Sequence, residues 1–226
     1  MIVLAIETAT TACGVGLRTA SGVEVVTVLD TERRHTEVLS AGIAQMLTQA
    51  ALGPRDVTRV VVDRGPGLFT GLRVGIATAS AFAQALGCEL VEVTSLELLA
   101  HGAYDVGVRG RLVAAVDGRR GELFVQTFNL DEQVESVNEP VVARPRDVVI
   151  EWATSGAPVT FTGDGVARYV EDFAAVPQGA LIAQSVPSLH AALALGATRT
   201  PSPVVTPLYL READAIANFT TRERNP

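Results

Sequence analysis

Short β-branched runs alternate along this chain with stretches of helical spacing. Ile2 to Ile6 is apolar and ends in an acid, Glu7, after which a threonine-rich turn leads into Gly14-Val15-Gly16-Leu17, so the pair reads as a hairpin. Ser21-Gly22 turns the chain again, and Val23 to Leu29 makes the third strand of a meander. From Thr36 to Leu52 the apolar positions Leu39, Ile43, Met46, Leu47 and Ala50 recur at three and four, which predicts a helix stopped by Gly53-Pro54. Val60-Val61-Val62 is a buried strand ending in Asp63; a glycine-rich loop, Arg64 to Gly71, feeds a second helix over Leu72 to Leu86, and Leu90 to Val93 is the next strand. The opening pattern returns at Leu112 to Asp117, which turns through Gly118-Arg119-Arg120-Gly121 into a return strand, Leu123 to Phe128. The repetition predicts two related α/β lobes, divided at a Gly- and small-residue-rich break near Leu99 to Gly110: residues 1–103 and 104–226. Past Glu139 come a strand at Pro158 to Thr162, Gly163-Asp164-Gly165 before a short helix, and an apolar segment from Ser188 to Leu195, so the second lobe reads as reduced.

Composition narrows the chemistry. At 226 residues with 48% hydrophobic and 19% charged residues, the chain can bury a sizeable core. Its net charge is −7, and all 18 cations are arginine, which excludes a Schiff-base lysine and a Walker A lysine. An acidic chain without a basic run is not expected to hold nucleic acid alone; RNA requires a partner's surface. Two cysteines, Cys13 and Cys88, make no disulfide framework, and Met1 to Glu7 has neither a basic leader nor a span-length apolar run. The expectation is a cytoplasmic protein without a membrane segment.

The strongest local signal is Gly65-Pro66-Gly67-Leu68-Phe69-Thr70-Gly71-Leu72-Arg73. A strand-to-helix loop of this kind can cradle a phosphate or form a tight structural turn, and the absent lysine and the donor lost at Pro66 favour the turn. The helix after it is apolar nearly all round: Leu72, Val74, Ile76, Phe82 and Leu86 are interleaved with Gly75, Ala77, Ala79, Ala81, Ala83 and Ala85, so it must be covered on two sides, by its own sheet and by either a core helix or a partner. His35, His101 and His190 stand singly, with no helix-borne metal pair, and no G-x-S-x-G elbow occurs; a lone His35 at a helix start reads as a capping or solvated residue. Glu7, Asp63 and Asp117 all lie at strand ends, where loop caps and metal–phosphate acids both occur. Arg119 and Arg120 put two guanidiniums on a hairpin tip, either an anion contact or an exposed polar turn.

Taken together, Ala5-Ile6-Glu7-Thr8-Ala9-Thr10, His35-Thr36-Glu37, the Gly65 to Gly75 stretch, Val93-Thr94-Ser95-Leu96-Glu97, Asp117 to Glu122 and Pro207-Leu208-Tyr209-Leu210-Arg211 resemble, in this order, the TsaB (YeaZ) family. The resemblance implies an actin-like ATPase (ASKHA) fold of two ribonuclease H-like lobes. It also implies a subunit that pairs with the catalytic paralogue TsaD and works with the ATPase TsaE to install threonylcarbamoyl on N6 of adenosine 37 in tRNAs reading ANN codons. Glu7, Leu68 and Gly118 depart from the residues usual in the family. Where the catalytic paralogue carries a metal-binding His-x-x-x-His, this chain reads Ser95-Leu96-Glu97-Leu98-Leu99. The resemblance therefore implies a non-catalytic dimerisation subunit with no metal or cofactor of its own, the ATP and metal ion belonging to partner subunits. In the family the first two helices of each paralogue form a four-helix interface, which here implicates Leu39, Ile43, Met46, Leu72, Gly75, Ile76, Ala79, Phe82 and Ala83, with Gly75 and Ala79 sharing one face. Self-pairing when alone is the other use of that face.

Two competing functions stand beside this one. A small-molecule kinase or ATPase on the same fold would use Glu7 and Asp117 for metal–phosphate and Gly163-Asp164-Gly165 as a second phosphate loop. A peptidase of the M22 type lacks a nucleophile with a base, since Ser95 and Cys88 have no histidine at recognisable triad spacing.

Overall fold

The computed structural model describes residues 1–29 and 35–211, with side chains at 35 and 36 excluded. The sequence signature at His35-Thr36 thus lies outside the described side chains. Three antiparallel strands open the chain, β1 (Val3–Glu7), β2 (Cys13–Arg18) and β3 (Glu24–Leu29), followed by α1 (His35–Gln49), β4 (Arg59–Asp63), α2 (Phe69–Leu86) and β5 (Glu89–Val93). β4 and β5 join β1 in parallel, giving the order β3-β2-β1-β4-β5. After α3 (Ser95–Asp105) the pattern repeats: β6 (Arg111–Arg119), β7 (Glu122–Asn129), β8 (Glu135–Ser136), β9 (Val141–Ala143), α4 (Pro145–Ser155), β10 (Val159–Thr162), α5 (Asp164–Arg168), α6 (Val170–Ala174), β11 (Gly179–Leu181) and α7 (Leu189–Thr198). The second sheet runs β11-β10-β6-β7-β8, which is the first sheet's order over again with the same antiparallel and parallel halves. This is the duplicated ribonuclease H-like topology of the actin-like ATPase fold, as expected, with β8 and β11 cut to two and three residues.

Five layers stack through the molecule. α1 and α2 pack on one face of the first sheet through Leu39, Ile43, Met46, Leu47, Ile76 and Ala79. The opposite face receives α7, where Leu189, Ala192 and Leu193 meet Val3, Ala5, Val61 and Val91. α3 lies beside α7 and covers the second sheet with Leu96, Leu99, Ala100 and Ala103, while α4, α5 and α6 close that sheet's outer face around Phe161 and Phe173. With both faces covered, β1 is buried at every position.

The break expected near Leu99 to Gly110 begins instead as α3. Its small residues looked loose, but Thr94 Oγ1 accepts from Glu97 N, the Glu97 carboxylate accepts from Thr94 N, and Ala100, Gly102 and Ala103 let the helix lie close between the sheets. The helices also cross the expected boundary: α3, from the first half by number, covers the second sheet, and α7, from the second half, covers the first. After α7, residues 199–211 run as a strap along the β5 edge. Ser202 N donates to Leu90 O (2.7 Å), Arg199 Nη1 to Glu92 O (3.1 Å) and Leu208 N to Arg64 O (2.8 Å). The first two bonds occupy an edge that would otherwise offer free backbone groups, and the third ties the strap to the start of the glycine loop.

Leu193 is fully buried in the α7 layer. Leu193→Ala is expected to destabilise the chain by about 2–5 kcal/mol, read as a lowered urea midpoint; an unchanged midpoint would show that α7 does not hold the first sheet.

Candidate functional site

Asp63 closes β4 and sets the geometry of the glycine loop. Its Oδ1 accepts from Gly65 N (2.8 Å) and from Ser95 Oγ at the start of α3 (3.0 Å), and Ser95 N donates back to Gly65 O (3.0 Å). Gly65 adopts φ +105°, which a side chain would strain. Leu68 N donates to Ala9 O (2.6 Å), and a Cβ at Gly67 would collide with that same carbonyl. At Gly75 a Cβ would collide with Thr8 Oγ1, which is already donating to Gly71 O (2.8 Å). Gly67 thus packs on the backbone of the β1–β2 turn and Gly75 on its Thr8 side chain. These contacts favour the tight structural turn over the phosphate cradle.

Glu7 and Asp63 face the seam this loop closes, and both are 0% exposed. Glu7 Oε1 accepts from Ala9 N (2.8 Å) and Thr10 N (3.3 Å), while Glu7 Oε2 and Asp63 Oδ2 have no partner. Burial holds Glu7 well above the usual carboxylate range, and the neighbouring Asp63 charge adds to it. Burial likewise pushes Asp63 up to about 7. A protonated carboxyl can leave one oxygen without a donor at far lower cost than an ionised one, which is how two orphaned oxygens persist here. The nucleotide and metal site of the fold family does not fit these residues: Glu7 and Asp63 have no solvent exposure, and Gly67 packs directly on the Ala9 carbonyl. Among the described residues no group of three or more His, Cys, Asp or Glu could hold a metal ion.

On the other lobe, Asp117 is nearly buried. It takes Arg119 N on Oδ1 (2.9 Å) and the guanidiniums of Arg119 (3.0 Å) and Arg168 (3.2 Å) on Oδ2, and its own N–H donates to Asp164 Oδ1 (2.9 Å). Arg120 is exposed at the hairpin tip.

The helix face requires a correction. Leu39, Ile43, Met46, Leu72, Gly75, Ile76 and Ala79 do not face outward: all are buried, Ala79 at 0%, with Phe82 and Ala83 half-buried against the same core. Because α2 is apolar all round, periodicity alone could not say which side meets the sheet. Size decides it: the larger side chains, with Gly75 and Ala79 filling the tightest contacts, go to the sheet. The smaller ones, Ala77, Ala81 and Ala85, are exposed, as are Ala41 and Ala44 of α1. Between the two helices runs a groove of about 500 Å³ lined by Leu39, Ser40, Phe69, Thr70, Arg73, Val74, Ala77 and Thr78. At its end the Arg73 guanidinium lies 3.8 Å over the Phe69 ring and donates to Tyr209 Oη (3.1 Å), and the Phe69 and Tyr209 rings stack at 5.4 Å. Sequence reasoning missed Phe69 and Tyr209 as a unit, because 140 residues separate them, and missed Ser95 as the partner of Asp63.

A duplicated-lobe α/β protein of the actin-like class, with its cleft sealed and an apolar helix shelf outside, is what the fold and these contacts define. The family model described as TsaD, tRNA N6-adenosine threonylcarbamoyltransferase, matches residues 28–218. The chain is 32% identical over 165 residues to the tRNA threonylcarbamoyladenosine biosynthesis protein TsaB of Escherichia coli, covering 69% of this chain and 71% of that protein. It is 33% identical over 217 residues to an uncharacterized protein of Mycobacterium tuberculosis, covering 94% and 93%. The solved structure of YeaZ from Pseudomonas aeruginosa superposes with a TM-score of 0.79 at 28% identity, over 92% of this chain and 99% of that one. The chain belongs to the TsaB (YeaZ) family.

Because Asp63 titrates near 7 when folded and an unfolded aspartate near about 4, the unfolded chain loses this proton first, and stability falls as pH rises between the two values and levels off above. Asp63→Asn keeps an acceptor for Gly65 and Ser95. Its melting temperature relative to the parent is expected to climb from pH 5 to pH 7.5; a constant difference would mean that Asp63 is ionised in the fold.

Proposed function

We propose that this chain is the non-catalytic dimerisation subunit of a cytoplasmic threonylcarbamoyltransferase. It pairs with TsaD, works alongside the ATPase TsaE, and supports threonylcarbamoylation of N6 of adenosine 37 in tRNAs reading ANN codons, with ATP and the metal ion held by those partners. Family membership supports the pathway, and the match to the TsaD family model supports a paralogous partner. The observation that carries the subunit role is the sealing of the cleft. Glu7 and Asp63 have no solvent access, and Ser95 and Leu99, where the resemblance places the catalytic paralogue's metal ligands, are spent on Asp63 and on the core of the second sheet. A metal–phosphate kinase would use Glu7 and Asp117; Glu7 has no solvent access and Asp117 is paired with Arg119 and Arg168, which counts against that reading. Among the described residues no helix is long and apolar enough to cross a membrane.

The working surface on this reading is the outer face of α1 and α2. Ala41, Ala44, Ala77 and Ala81 present little side-chain volume, so a second helix pair can approach to about 8–10 Å between axes, with the groove beside Phe69 taking a larger apolar side chain.

Ala77→Trp is expected to leave the melting temperature within about 2 °C, since Ala77 is exposed, and to weaken capture of TsaD by roughly 30-fold, about 2 kcal/mol. Ala79→Trp is expected to unfold the chain, because that position has no free volume. Undiminished capture of TsaD by folded Ala77→Trp would remove α2 from the interface, and threonylcarbamoyl transfer by the purified chain without TsaD would overturn the subunit role.

A further inference from the structure

The β6–β7 hairpin tip carries chemistry unusual for so acidic a chain. Arg119 and Arg168 both direct Nη1 at one oxygen, Asp117 Oδ2, at 3.0 and 3.2 Å. Their Nη1 atoms are thus no more than about 6 Å apart, close enough for one phosphate to take a hydrogen bond from each. Two guanidiniums on one carboxylate leave an excess positive charge, and it is outward: the Arg119 side chain is 43% exposed and that of Arg168 52%, while Asp117 beneath them is 5% exposed. Arg120 stands exposed next to them, and Arg211 reaches the hairpin by pairing with Glu122 (3.0 Å). Asp164, the other acid here, is raised from the usual aspartate value mainly by burial and accepts the Asp117 N–H.

The backbone adds an independent observation. Arg119 and Arg120 occupy φ +63° and +56°, the left-handed region that glycine occupies without strain and that arginine adopts only at a cost. Gly121 follows at φ +80°. The turn thus spends conformational strain to put two guanidiniums, rather than glycines, at its tip, a pattern typical of contact sites. With no lysine in the chain, the cations here are all planar forks suited to phosphate oxygens.

We propose that Arg119 and Arg168, with Arg120 beside them, form a phosphate-binding site that takes the phosphodiester backbone of RNA when this chain is assembled with its catalytic partner. The RNA assignment rests on the function proposed above; the phosphate site itself does not. Asp117 holds both forks, and the Tyr169 ring lies 5.8 Å from Arg168 Cζ, so the site is built before any ligand arrives.

Two measurements test it. On the isolated full chain, the Nε–Hε resonances of Arg119 and Arg168 are expected to shift on titration with inorganic phosphate to tens of millimolar, and not with chloride at matched ionic strength. No shift overturns the site, whatever the partner does. On the complex with TsaD, Arg119→Gln/Arg168→Gln is expected to assemble normally, to bind a tRNA transcript at least fivefold more weakly, and to lower the slope of log affinity against log salt by about 0.7 to 1.8, one or two phosphate contacts. Unchanged affinity and slope overturn the RNA assignment, as does a variant that no longer assembles, which would make the hairpin a protein contact. Arg168→Gln alone, leaving Arg119 on Asp117, gives a milder form of the same loss should the double variant fold poorly. Failure of the wild-type chain to assemble with TsaD would defeat the subunit role and with it the RNA assignment, and leave the phosphate titration to decide the site.

Discussion

Everything in the first lobe is arranged around one close backbone contact, the glycine loop lying on the β1–β2 turn. Leu68 N donates to Ala9 O, and only hydrogen fits at Gly67 and Gly75. That contact brings β4 and α2 against β1, and it shuts Glu7 and Asp63 away from water. Burial disfavours the charged form of both acids, although the Arg64 charge acts the other way on Asp63. The packing thus sets the electrostatics, since it is burial that raises both acids.

With the cleft closed, the surface that remains available is defined by what the sheet does not use. α2 spends Leu72, Ile76 and Ala79 inward and is left with alanines outside, as is α1. The strap after α7 closes the β5 edge and delivers Tyr209 to Phe69 and Arg73 at the end of the inter-helix groove, so the C-terminal part of the described chain shapes the same surface. The arginine-tipped hairpin lies on the other lobe. The strap links the two regions, since Tyr209 stacks on Phe69 at the groove end and Arg211 pairs with Glu122 at the hairpin.

Much of this was legible in the sequence. The strands of the first lobe and β6, β7 and β10 of the second follow from β-branched runs punctuated by Gly, Pro and Ser, whereas the short β8, β9 and β11 gave no such signal; the acid-tipped hairpins at Glu7 and Asp117 announce the duplication. Which face of α2 is buried was not legible, because a helix apolar all round carries no phase; the inward set was assigned outward for that reason. α3 was hidden by its own small residues, although Thr94 and Glu97 form a readable cap. The exchange of α3 and α7 between lobes, the Ser95–Asp63 bond and the Phe69–Tyr209 stack are long-range contacts that local patterning cannot encode. The strand-end acids were visible, but not their burial, which depends on what packs over them.

The central claim is that this chain acts through its outer helix face and not through its cleft. Backbone hydrogen exchange of the full chain, free and with TsaD, tests it most directly. The account predicts slowed exchange over residues 35–49 and 69–86 on complex formation, with the cleft strands β1 and β4 already protected in the free chain and unchanged. Slowed exchange confined to β1, β4 and the β6–β7 hairpin, with both helices unaffected, would contradict it.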